Sequence, residues 1–174
     1  VIEGVAKQDF LSFMQEKIFM PLKMPNTYAD DNKKLVENRT RFYAKTSDNK
    51  WNNETYTDNS DRWAAGGFVS TAEDLAIFGS ESLKDGFLKA ETSALIFTSQ
   101  KTKDGKETGV GFAWRIGKDS KGRTIYHHGG ESVGGRTFLI IYPESKVVIA
   151  MMCNLTFARF AEADAEKISQ LFMD

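Results

Sequence analysis

Four stretches between residues 110 and 154 have the length and composition of β-strands, and short turn-forming strings join them in pairs. They read VGFAWRIG, RTIYHHG, RTFLIIYP and KVVIAMMCN, rich in β-branched and aromatic residues. The connections KDSKGR and PESK hold the Gly, Asp, Ser and Pro that suit hairpin turns. Strands joined this tightly run antiparallel, because a parallel crossover needs a dozen residues or more. An antiparallel meander therefore organises the C-terminal half.

Helical patterns flank it. QDFLSFMQEKIFMPL places Phe10, Phe13, Met14 and Ile18 at helical spacing, with Asp9 as N-cap and Pro21 as the stop. WAAGGFVSTAEDLAIFG reads as a glycine loop opening a helix, capped by Ser70 with Glu73 or by Thr71 with Asp74. A short helix is predicted over Ala90–Ser99. FARFAEADAEKISQLFM predicts a closing amphipathic helix with Phe157, Phe160, Ala161, Ala165, Ile168 and Phe172 near one face. From Pro25 to Asp61 the chain is polar with isolated aromatics, a long ordered loop region or a set of short strands. The predicted class is α+β: an antiparallel β-meander flanked by helices.

The 174 residues are 41% apolar and 12% aromatic, enough for a packed core. The 23 Lys and Arg nearly balance the 24 Asp and Glu, so no basic excess exists to neutralise nucleic-acid phosphates. No apolar run approaches the roughly 18 residues that suggest a membrane span. One cysteine, Cys153, in the apolar string VVIAMMCNL, excludes an internal disulfide and reads as a core thiol.

The chain has two histidines, His127 and His128, side by side in YHHGGESVGG. Neighbouring strand side chains point to opposite faces, so the pair cannot readily share a metal ion, and no metal or other cofactor is expected. The same alternation sends one imidazole towards the core and leaves the other for a cleft. The glycines beyond them offer backbone that a ligand can approach closely, with N–H groups free of side-chain cover.

Taken together, these strings resemble the C-terminal part of the serine β-lactamase-like family, which includes class C β-lactamases, D-alanyl-D-alanine carboxypeptidases and related esterases. IFMPLKMPNTY is similar to the family's helix end and P-L-G-M-x-x-T turn. WAAGGFVSTAEDLAIFG is similar to its G-G-x-x-S-T-x-x-D-L segment. HHGGESVGGRTFLIIYPE resembles the third active-site motif, K-T-G or H-x-G on a strand, followed by the next strand. VVIAMMCN resembles the last strand, and NRTRFY with YTDNSDRWAAGGFVST is similar to the family's mitochondrial and bacterial members.

The resemblance implies a β-lactamase/transpeptidase-like fold and acyl-enzyme hydrolysis of an ester, amide or β-lactam. It implies that His128, Gly129 and Gly130 form the third motif, with the backbone N–H of Glu131 as an oxyanion-hole donor. It implies that the nucleophile motif S-x-x-K lies upstream of Val1. Residues 1–174 would then be a single partial domain, inactive alone, that self-associates or pairs with the nucleophile-bearing part. A small-molecule, peptide or ester substrate is expected, with no nucleic acid and no membrane span. Export to a periplasmic or external compartment is the family's habit. The string SDNK at Ser47–Lys50 matches S-x-x-K and contains S-D-N, but both sit in one polar loop, a chance match. The motif's middle position, usually Thr or Ser, is Gly129. With His in place of Lys, this tilts the expected substrate from anionic β-lactams towards esters or peptides. The alternative from another class is a non-catalytic ligand-binding or penicillin-sensor-like domain that kept the fold.

Overall fold

The computed structural model describes residues 1–84 and 86–173. Helix α1 (Ile2–Ala6) leads into α2 (Phe10–Met14), where the Asp9 side chain accepts the Ser12 N–H as predicted. The helix widens into a π-helical turn over Gln15–Phe19 before the chain turns away. Short strands follow: β1 (Tyr28–Ala29), β2 (Tyr43–Lys45) and β3 (Trp51–Asn53). Strands β2 and β3 form an antiparallel hairpin whose tip holds Ser47–Asn49. Helix α3 (Trp63–Gly66) occupies the start of the expected glycine loop, and β4 (Phe68–Val69) pairs with β1. Helix α4 (Ala72–Glu81) is capped by Thr71, whose hydroxyl accepts the Asp74 N–H at 3.2 Å. Helix α5 (Ala90–Ile96) is shorter than Ala90–Ser99.

The meander is present as β5 (Arg115–Lys118), β6 (Thr124–Ser132), β7 (Gly135–Tyr142) and β8 (Val147–Cys153), each antiparallel to its neighbour. Helices cover both faces. On one, α4 packs against β7 and β8, with Leu75 and Phe78 meeting Leu139, Ile141, Val148 and Ala150. The helix lies so close that a Cβ on Gly79 would stand 2.7 Å from Val148 Cγ1. On the other face α6 (Glu162–Ser169) seats the buried Ala165 against Ile125, Phe138, Ile140, Tyr142 and Ile149. A separate cluster around Phe19, Leu22 and Met24 joins the N-terminal helices to Phe68, Ile77 and Phe78. Beneath it, the buried Asp74 carboxylate accepts from the Asn26 N–H and the Thr27 hydroxyl, each at 2.8 Å.

Two expectations need correction. VGFAWRIG is a strand only from Arg115, because Ala113 takes a left-handed φ of 66° and Gly111 N–H bonds back to Trp114 O. The closing helix begins at Glu162, not at the phenylalanines. Phe157 is left-handed (φ 58°) and exposed, and Phe172 lies past the helix end, also exposed.

Candidate active site

Strand β6 carries every residue that the third motif nominates, and alternation sorts them. Ile125 and His127 face α6, whereas Tyr126 joins the cluster under α4, which puts His128 and Gly130 on that face too. The two imidazoles thus lie on opposite sides of the sheet. His127 is mostly buried, stacked on Phe138 at 5.5 Å between ring centroids, with its Nε2 3.4 Å from the Glu162 carboxylate. Its Nδ1 is buried without a partner among the described residues. Burial pushes the His127 imidazole below its usual range, and the Glu162 carboxylate offsets only part of that effect. His128 is exposed.

The glycines do two different things. A Cβ on Gly130 would meet Thr137 Oγ1 of β7 at 2.7 Å, so the strand must be bare there for that hydroxyl to keep its place. Gly129 lies over Phe138 on the α6 face, where a Cβ would come within 3.2 Å of the ring. The Glu131 side chain is also on the α6 face, where it accepts from Arg136 Nη1 at 3.1 Å. What Glu131 can offer a ligand on the α4 side is therefore its backbone.

Register decides where that backbone points. Ser132 and Gly135 pair directly across the two-residue turn Val133–Gly134, so even-numbered residues of β6 bond to β7. Odd-numbered residues point their N–H and C=O groups to the other edge, where β5 pairs as far as His127 with Arg115. The chain before Arg115 turns back on itself at Ala113 and leaves that edge. Gly129 and Glu131 consequently present their amides along an edge that no strand covers among the described residues. Free backbone N–H groups in fixed positions are the donor type that stabilises a developing oxyanion.

The far end of β6 is clamped. Gly134 (φ 88°) packs against Phe42, which a Cβ would strike at 2.4 Å, and its N–H donates to Thr156 Oγ1 at 2.7 Å. The Thr156 hydroxyl in turn donates to the Glu54 carboxylate, and Tyr43 N–H donates to Asn154 O at 3.0 Å. The β2–β3 hairpin is thus tied to the turn that ends the motif strand. Ser47, at the hairpin tip, is exposed, and Lys50 there pairs with Asp48. A surface cavity of about 480 Å³ lies between α2 and residues 34–38 and includes no residue of β6.

His128, Gly129, Gly130 and Glu131 stand out in the sequence alone, whereas the Thr137 hydroxyl facing Gly130 and the open edge do not. The signal for the edge was the string S-V-G-G. As a two-residue turn it fixes which amides of β6 face outward.

The beta-lactamase family matches residues 1–171. The mitochondrial serine beta-lactamase-like protein of Bos taurus is 30% identical over 89% of the chain, which spans 34% of that protein. The chain thus spans about a third of the curated relatives it matches, and their description as mitochondrial does not follow the expected habit of export. Among solved structures, the octameric penicillin-binding protein homologue of Pyrococcus abyssi superposes with a TM-score of 0.79 at 20% identity, covering 98% of this chain and 39% of that one. A D-stereospecific amidohydrolase from Streptomyces sp. gives 0.76 at 20% identity, over 94% of this chain and 48% of that one. These likenesses show the β-lactamase/transpeptidase fold. Among the described residues, no helix is long and apolar enough to cross a membrane.

Proposed function

The chain belongs to the beta-lactamase family, and on that premise we propose that it forms the C-terminal wall of the acyl-transfer site of a serine hydrolase. The observation that carries this reading is the open edge of β6, where Gly129 and Glu131 offer amides beside the exposed His128. By family resemblance, the serine nucleophile comes from a part of the protein preceding Val1. Its Oγ attacks the carbonyl of an ester or amide, and the electron pair moves onto the carbonyl oxygen. The Glu131 N–H donates to that oxyanion. Collapse expels the alcohol or amine with a proton and leaves an acyl-serine, which water then hydrolyses. His128, on the α4 face of the same strand, is positioned as the electrostatic or proton-transfer group. An imidazole here supplies less fixed positive charge than lysine, which favours esters and peptides over anionic β-lactams.

The test uses the longer protein that contains the upstream motif. His128→Ala lowers kcat/KM by about 10²-fold or more, in the range for losing an acid–base or electrostatic group. His127→Ala leaves turnover intact and costs about 1 kcal/mol of stability. Steady-state kinetics on a chromogenic ester and a β-lactam decide it; loss of turnover in His127→Ala alone would place the site on the opposite face. Residues 1–174 alone are expected to be inert to a fluorophosphonate probe. Stoichiometric labelling at Ser47 would overturn that expectation.

A further inference from the structure

Thr137 stands across from Gly130 in the β6–β7 register and shares its face with His128, Gly130 and Leu139. It is half-buried. Its Oγ1 occupies the space in front of Gly130, 2.7 Å from where a Cβ there would stand, and apart from Gly130 and its chain neighbours no other atom of the described residues lies within 4 Å of that point. Of the polar side chains in the middle of β7, Arg136 is committed to Glu131, whereas the Thr137 hydroxyl is engaged by no other group among the described residues. A half-buried hydroxyl on a well-packed strand, with space kept clear for it by a glycine, stands ready for an external partner. The motif strand itself has no hydroxyl at Gly129 or Gly130.

We propose that Thr137 is a substrate-binding residue of the acyl-transfer site. It donates its hydroxyl hydrogen to an acceptor oxygen, carboxylate or amide carbonyl, carried by the acyl substrate close to the scissile carbonyl. This rests on the hydrolase reading above and adds a specificity rule to it. Substrates with such an oxygen are held in register against β6, and plain alkyl esters are not. Gly130 then has a definite task, since any side chain at that position would push the hydroxyl aside.

The experiment compares wild type, Thr137→Val and Thr137→Ser in the longer protein on two esters. They share one leaving group, and only one carries an amide or carboxylate next to the scissile carbonyl. Valine keeps the β-branched shape that suits a strand and removes only the hydroxyl; serine restores it. Thr137→Val raises KM for the functionalised ester about 3- to 10-fold, the range for one neutral hydrogen bond, with kcat nearly unchanged. It leaves the plain ester within about 2-fold, and serine recovers most of the loss. Thermal unfolding temperatures match across the three proteins, because the hydroxyl holds nothing within the fold. Equal kinetics for valine and wild type on the functionalised ester overturn the Thr137 assignment alone. An equal loss on both esters assigns Thr137 to packing and overturns it too. A wild type that turns over neither ester brings down the hydrolase reading, and this inference with it.

Discussion

Burial holds the His127 imidazole below its ordinary value of about 6.5, and that direction fixes a pH dependence. An unfolded chain binds the proton at a pH where the folded one still refuses it. Stability therefore rises with pH through that window. Seen from the other side, a destabilising contribution sets in as pH falls through 6.5 and is complete below the folded value. His127→Gln removes it, so the melting temperature of wild type falls relative to that of the variant as pH is lowered from 8 to 5. Parallel melting curves across that range would sink the prediction. Groups that wild type and variant share, and that do not touch residue 127, cancel in this difference. Glu54, for one, is held below its ordinary range by the hydrogen bond from the Thr156 hydroxyl. That the two histidines face opposite ways was legible from the sequence, since it needs only strand alternation. Which atoms His127 would meet was not, because Glu162 arrives from a helix 35 positions away.

Helix α4 shows the same division. Its cap and apolar side were readable in STAEDLAIF, and the structure selects Thr71 from the two capping patterns that the sequence left open. Nothing local announced that Gly79 is where the helix touches the sheet. Alanine there gains helix propensity of up to about 1 kcal/mol, yet it drives a methyl into the stiff, β-branched Val148. Overpacking in a tight core costs about 1–3 kcal/mol, so Gly79→Ala is destabilising on balance, by about 1–2 kcal/mol. Adding Val148→Ala relieves the clash, and in chemical denaturation the double variant loses less than the sum of the singles. Additive losses would show that the helix simply shifts away. The misplaced elements have a common cause. VGFAW and FARFA carry strand-like and helix-like composition, but Ala113 and Phe157 take left-handed backbone that neither residue type advertises.

For the whole molecule, the surface is the informative quantity. Val1 and Val5 at one end, Phe157 beside β8, and Leu171 and Phe172 after α6 are large apolar side chains left open to solvent. Residues 1–174 expressed alone are accordingly expected to self-associate or to bind the nucleophile-bearing part that the proposed function calls for. Sedimentation together with an apolar dye reports this, and a dye-silent monomer at all concentrations would refute it. An open strand edge ordinarily invites foreign strands to add to it, the first step of many aggregates. Here the uncovered stretch of β6 offers outward amides at two residues only, and the hairpin clamp at Gly134 closes one end of it. Two such residues are what the proposed oxyanion contact requires, and they are too few to nucleate a growing sheet. The short reach of β5 thus sets a size filter at this one stretch of edge, long enough for the small guest of the proposed site and too short to template a strand.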